Sequence, residues 1–330
     1  MIKLKNYLLD IDDTIVIFGL GKILKNFHAK HGKEAISLIK NKIHKSTYYY
    51  WISGVSPIPI KYLKLFSKLD NNILDLAYKK MEYVSVGNKK CLLPKAMTKD
   101  LAYLLGAING DGYVHKNCRY ITLATDSEFH IEIINSLFKK IFMIGGYISD
   151  HNTYHKIEIG SRPVHSFISL FCPTGKKTGL LKVPEEVKNS KEFLISYLSG
   201  LFDTDGCIGY NEKKNVVYFV FVQRDKNFTF DVHKCLIHLG FHVNEPRICY
   251  SARKPYDTIR DLEEWRIYIG SKRDLYDFLN LIKFQHPGKR EKSEYIKNNI
   301  LKKWARAEFR RNNMRYRTAN LLHVKQTSCH

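Results

Sequence analysis

Apolar positions in the first forty residues recur at three- and four-residue intervals: Phe18, Ile23, Leu24 and Phe27, then Ile36, Ile39 and Ile43. That period predicts two amphipathic helices, the first capped by Asp13 or Thr14 and the second over 33–43. In HKSTYYYWISGVSPIPIKYLKLFSKL, Ser46 or Thr47 can cap a short helix that stops before Gly54. Pro59 suits the first turn of the next helix, which turns Leu63, Phe66 and Leu69 inward. Residues 1–90 are thus expected to form a small all-helical domain. A short helix, a glycine turn and a further apolar helix are also the pattern of helix-turn-helix modules, which set polar and aromatic residues against DNA. Ser46, Thr47, Tyr48 and Tyr49 become candidates for DNA contact. A plain helical bundle with surface tyrosines fits the same pattern.

From about residue 91 the pattern changes and repeats. Leu104–Gly112 reads LLGAINGDG and Leu198–Gly206 reads LSGLFDTDG, each preceded by a hydrophobic-proline pair, Leu93-Pro94 or Val183-Pro184. Each is followed by a β-branched and aromatic hairpin pattern, GYVHKNCRYITLAT or GCIGYNEKKNVVYFVFVQ. An amphipathic helix, a second strand pair and a closing helix complete each copy. The expected fold class is α+β, two pseudo-symmetric αββαββα halves forming one pseudo-twofold domain over 96–285. The boundaries are 1–90 for the helical region, 91–182 and 183–285 for the halves, and 286–330 for a basic, partly helical tail.

Small residues four apart, Gly106 with Gly110 and Gly200 with Thr204, leave strips on which two helices can approach closely. Packed through those strips, the helices would end with Asp111 and Asp205 side by side, while Gly112 and Gly206 turn the chain into a strand. Two adjacent carboxylates repel unless a cation joins them. Hard oxygen donors favour Mg²⁺, which takes one or two carboxylates and fills its shell with substrate phosphate and water. One isolated Asp-Gly after an apolar helix is an ordinary cap or turn; two at matched places in a repeat point to chemistry.

Charge narrows the partner. Lys and Arg number 54 against 32 Asp and Glu, a formal net charge of +22, which recruits polyanions and double-stranded DNA before an acidic membrane. The seven cysteines are odd in number and form no CxxC pair, so neither a disulfide framework nor a zinc site is expected. The N-terminal apolar run is broken by Asp10, Asp12 and Asp13, and no stretch reaches membrane-spanning length. A cytoplasmic or organellar, membrane-free protein is expected.

LLGAINGDG and LSGLFDTDG resemble the paired signature segments of the LAGLIDADG homing endonucleases, in their single-chain, two-motif form. The resemblance implies a monomer with internal pseudo-twofold symmetry and sheets along the major groove of a long, nearly unsymmetrical DNA site. Asp111 and Asp205 would hold Mg²⁺, with Mn²⁺ able to substitute, and both strands would be cut to leave short 3′ overhangs. A basic residue near the fourth strand of each half would sit by the scissile phosphates; Arg162 and Lys272 (or Arg273) match that description. Gln223 resembles a water-positioning residue, with Ala124 as its counterpart, and Asn109 and Asp203 take positions used for helix packing. Arg119, Lys213, Lys214, Arg247 and Arg253 are candidates to read bases or neutralise phosphates.

Three other readings stand beside this one. A DNA- or RNA-binding protein without cleavage (a maturase or transcription regulator) shares the fold, and the two retained acids favour the nuclease. An intein would need a nucleophile at its start and His-Asn at its end, whereas this chain reads Met-Ile and Ser-Cys-His there. LLDIDDTIV resembles the DxDxT loop of haloacid-dehalogenase-like phosphatases, with Asp10 as nucleophile and Asp12 as acid. That fold needs a parallel sheet which the helical stretch after Thr14 does not supply.

Overall fold

A computed structural model describes residues 8, 11–87, 89–116, 119–250 and 263–306. The chain divides into two compact units, 1–204 and 205–330. Among the described residues, no helix is long and apolar enough to cross a membrane. Cys91, Cys172, Cys207, Cys235 and Cys249 are not joined in disulfides.

The first unit opens with β1 (Val16–Ile17), α1 (Gly21–Ile39), α2 (Lys45–Ser53), β2 (Ile58–Pro59), α3 (Ile60–Phe66), α4 (Ile73–Lys80), β3 (Val84–Val86) and β4 (Lys89–Cys91). The four helices pack around Phe27, Tyr48 and Phe66, with the Phe27 and Phe66 rings stacked 5.1 Å apart. The all-helical expectation needs correction here, because the short strands form an antiparallel sheet in the order β2-β1-β3-β4. Two- and three-residue strands are too short to display alternation. Two further corrections concern the first helices. Asp13 and Thr14 do not cap α1; the Thr14 backbone N–H instead donates to Asp12 Oδ1, and the helix starts at Gly21. The separate helix over 33–43 is the continuation of α1 past a break at His31 (φ −128°, ψ 17°). As expected, α2 stops at Gly54, whose φ of +78° suits a residue without Cβ.

The rest of the first unit holds α5 (Lys99–Gly110), β5 (Gly112–Val114), β6 (Tyr120–Thr125), α6 (Glu128–Phe142), β7 (Tyr147–His151), β8 (Tyr154–Gly160), α7 (Arg162–Ile168), α8 (Glu185–Lys188) and α9 (Lys191–Asp205), whose final residue opens the second unit. Ile121, Leu123, Ile157 and Ile159 line the buried face of its sheet, against Ile131, Ile134 and Phe138 of α6 and Phe167 of α7. The second unit continues with β9 (Gly206–Asn211), β10 (Val216–Gln223), α10 (Lys226–His238), β11 (Arg247–Tyr250), β12 (Glu263–Ile269), α11 (Lys272–Leu281) and α12 (Pro287–Tyr295), followed by a π-helical turn over 296–301. Phe219, Phe221 and Ile267 fill its core, with the Phe219 ring 4.5 Å from that of Phe278.

The two sheets have one topology: β5-β6-β8-β7 and β9-β10-β12-β11, all antiparallel. With the flanking helices, each copy is αββαββα, as the repeat predicts. In each, one face is apolar and buried while the other is presented to solvent.

Candidate functional site

The two motif helices meet inside the first unit, at their glycines. A Cβ placed on Gly106 would overlap the Tyr197 carbonyl oxygen, and one on Gly200 would overlap that of Tyr103. The contact is reciprocal: each glycine receives the backbone of the residue three positions before the other. Any side chain at either position would force the helices apart. The polar partners repeat the same exchange. Tyr103 Oη donates to Asp203 Oδ2 at 2.6 Å, and Asn109 Nδ2 donates to Tyr197 Oη at 2.8 Å.

The Tyr103 pair is extended into a buried chain. Burial, and then the charge of Asp203, push the Tyr103 hydroxyl well above its ordinary pKa, so it keeps its proton as donor. Its oxygen is therefore left to accept from His130 Nε2 at 3.0 Å, and His130 Nδ1 lies 3.3 Å from Thr125 Oγ1. Asn109 and Asp203 are both buried in this contact. Thr204 bonds within its own helix, to Leu201 O at 2.8 Å.

Beyond the contact each motif finishes differently. Asp111 forms the exposed end of α5. Lys177 Nζ donates to the helix's last carbonyls, those of Ile108, Asn109 and Gly110, at 2.8, 3.2 and 2.6 Å. A cation there satisfies orphan carbonyls and complements the helix dipole. Its loop is fixed by a bridge between Thr174 and Val114, by Gly175 N–H donating to Val114 O at 2.8 Å, and by a φ of +75° at Gly175. In the second unit, Asp205 is half-buried and accepts a hydrogen bond from Gln223 Nε2.

Strand register corrects two sequence expectations. Gly112 pairs with Leu123 and Gly206 with Phe221, so the counterpart of Gln223 is Thr125, not Ala124. Thr125 is short, and its hydroxyl lies against His130. Arg162 is not brought to the Asp111 end. β8 ends at Gly160 opposite Tyr120, three positions from Leu123, or about 10 Å along the strand. The Arg162 Nη1 donates instead to Thr14 Oγ1 at 3.2 Å. Lys272 and Arg273 likewise begin α11 after β12 has run away from the Gly206 end, Ile269 pairing with Phe219.

Of the candidate DNA contacts, Ser46 and Tyr49 are exposed and Thr47 is half-buried. Tyr48 belongs to the core: its ring packs near Phe66 and its Oη lies 3.0 Å from His28 Nδ1. The connection from α2 to α3 carries β2, longer than the three- or four-residue turn of a helix-turn-helix. Lys213 and Lys214 are exposed in the β9–β10 turn, and Arg247 is exposed on β11. Arg253 lies outside the described residues. The solvent face of the first sheet also shows Tyr113, Tyr120, Tyr147 and Tyr154, and that of the second Arg266 and Tyr268, none of which the sequence reading selected. Period-two alternation was the available signal for them.

Residues 192–283 match the family model of the LAGLIDADG-like domain. The chain is 28% identical over 214 residues to the glutamine–fructose-6-phosphate aminotransferase of Methanocaldococcus jannaschii, covering 63% of this chain and 18% of that protein. It is 25% identical over 168 residues to the NrdEB subunit alpha of ribonucleoside-diphosphate reductase from Bacillus subtilis, covering 44% of this chain and 15% of that protein. The chain thus spans less than a fifth of either enzyme. Among solved structures, the homing endonuclease I-DmoI in complex with DNA and Ca is 17% identical with a TM-score of 0.37, covering 57% of this chain and 91% of that one. Full-length DUF199/WhiA from Thermatoga maritima is 17% identical with a TM-score of 0.41, covering 67% and 68%.

Proposed function

Because residues 192–283 carry a LAGLIDADG-like domain, we propose that the protein is a metal-dependent endonuclease that makes a double-strand break in a long, nearly unsymmetrical DNA site. The observation that carries this reading is the reciprocal contact through Gly106 and Gly200. It uses both copies of the motif, and both copies end in an acid. In this reading Asp111 and Asp205 each hold Mg²⁺, replaceable by Mn²⁺. Their donors are hard carboxylate oxygens. No group of three or more His, Cys, Asp or Glu converges among the described residues, so phosphate and water would have to complete the ion's shell. When bound, such an ion stabilises charge on the scissile phosphate and makes a bound water more acidic.

The chain's own residues do the rest. Gln223 orients Asp205, and through it the attacking water of the second half. Lys177 sets a positive charge on the last turn of α5, next to Asp111, where phosphate gains charge. Solvent-facing tyrosines and arginines of the two sheets contact the DNA, and the N-terminal region grips flanking duplex through α2. The protein acts as a monomer, each half taking one half-site.

The two enzymes matched in part, an aminotransferase and a reductase, share no chemistry. Partial matches inside two enzymes of different activity, each over less than a fifth of the enzyme's length, fit a module carried inside host proteins, which agrees with a mobile nuclease. The second reading is a non-cleaving DNA- or RNA-binding protein of the same fold, an intron maturase or transcription regulator. One observation favours it: Thr125 stands where Gln223 would be required in the first half. The discriminating experiment incubates the full chain with the rejoined DNA that flanks its gene, in Mg²⁺ and in Mn²⁺. A double-strand break with short 3′ overhangs supports the nuclease; tight binding with no cut in either metal overturns it for the second reading.

A further inference from the structure

The segment LLDIDDTIV has no part in the motif chemistry, yet Asp12 within it organises two arginines. Its Oδ1 accepts from the Thr14 backbone N–H at 2.9 Å and from Thr14 Oγ1 at 2.7 Å. Thr14 Oγ1 in turn accepts from Arg162 Nη1 at 3.2 Å, and Asp12 Oδ2 faces Arg119 Nη2 at 3.5 Å. Burial alone would raise the Asp12 pKa. The Thr14 hydrogen bonds, then the charges of Arg119 and Lys64, outweigh it and hold the carboxyl below its usual range, so it stays ionised. Arg119 is held at a φ of +60°, a left-handed conformation that strains a residue with a Cβ. Strain of that kind persists where surrounding contacts fix it, and it clusters at binding sites.

These arginines and the exposed Lys89 line one pocket of about 270 Å³ in the first unit, with Tyr120 and Pro163 in its wall. Of the described residues lining it, none is acidic. Asp12 thus faces one guanidinium directly and holds the threonine hydroxyl that accepts from the other, and Lys89 adds a third cation. The volume falls just under the roughly 300 Å³ at which pockets begin to hold drug-sized molecules, so the pocket suits a phosphate and its attached sugar rather than something larger. Arginine forks match phosphate oxygens two at a time, and a lysine adds a point charge.

We propose that this pocket is a phosphate-ester site, anchored by Arg119, Arg162 and Lys89 and pre-set by Asp12. A nucleic-acid backbone and a free nucleotide share that chemistry. The site is independent of cleavage by Asp111 and Asp205.

The test uses the full chain in EDTA, so that a failure of the endonuclease reading leaves it untouched. Wild type, Lys89→Gln and Arg162→Gln are titrated with a random-sequence duplex at several salt concentrations, and melted with and without AMP. If the phosphate comes from DNA, each variant lowers the slope of log affinity against log salt by about 0.9, one phosphate contact. If it comes from a nucleotide, AMP raises the melting temperature of wild type and not of the variants, and the slope is unchanged. Variants that match wild type in both assays overturn the proposal. So does a Lys89→Gln protein that behaves as wild type while Arg162→Gln fails to fold.

Discussion

The two motif ends carry the same Asp-Gly pair and finish in different company. Asp111 is exposed, its helix terminated by Lys177, and the position equivalent to Gln223 holds Thr125, engaged with His130. Asp205 is half-buried and is held by Gln223. The buried parts are matched in geometry but not in charge, since Tyr103 serves the carboxylate of Asp203 while Tyr197 serves the neutral amide of Asn109. The repeat has kept what backbone contact demands, glycines and tyrosines at fixed places. It has let the polar chemistry of the copies diverge.

Gly106→Ala and Gly200→Ala test the matched part and should have the largest effects. An added Cβ meets backbone that cannot swing aside, so each should cost about 3 kcal/mol in urea unfolding, the upper end for overpacking. Markedly unequal costs would break the symmetry of the contact. Tyr103→Phe and Tyr197→Phe test the charge difference. Removing the donor to a buried carboxylate should cost about 2–3 kcal/mol, and removing the partner of a neutral amide about 1 kcal/mol. Equal losses would mean that the Asp203 charge carries no weight.

Gln223→Ala sharpens the comparison of the acid ends. Strand-resolved cleavage should show one strand slowed by about 10- to 100-fold, the range for groups that orient a metal ligand, while Thr125→Ala leaves both rates nearly unchanged. Equal slowing of both strands would assign Gln223 a general structural role. The smallest effect concerns pH. His165 in α7 is buried with Nε2 2.7 Å from the His115 carbonyl oxygen. Burial lowers its pKa below 6.5; the bond to that carbonyl opposes the shift, and the charges of His115 and Arg119 add to it. The unfolded chain then takes up this proton more readily, so stability holds above about pH 6.5 and falls as pH drops below it. The corresponding helix α11, KRDLYDFLNL, has no histidine. Urea midpoints at mildly acidic and neutral pH should therefore converge in His165→Gln relative to wild type.

Much of this was legible in the chain. Strand β10, VVYFVFVQ, is marked in sequence by its run of β-branched and aromatic residues, its burial alternates, and the tandem repeat fixed the order of elements. A close helix approach was expected from small residues at four-residue spacing; the contact rests on the first glycine of each pair, Gly106 and Gly200. Lys177 was not legible, because a Lys-Lys pair in a loop looks like any solvated pair. Its place depends on the Gly175 turn and on the bridge to Val114. Tyr48 could have been read correctly: Tyr48, Trp51 and Ile52 share the buried face of α2 at i, i+3 and i+4. Arg162 and Ala124 were misassigned because resemblance in sequence carries no strand register, and register decides which residues reach the acid.

Cleavage and binding by Asp111→Asn and Asp205→Asn, each beside wild type on the same flanking DNA, test the central claim most directly. Either substitution should abolish the double-strand break in Mg²⁺ while affinity in EDTA is little changed. A variant that still breaks both strands at the wild-type rate would contradict the assignment of both motif acids to the chemistry.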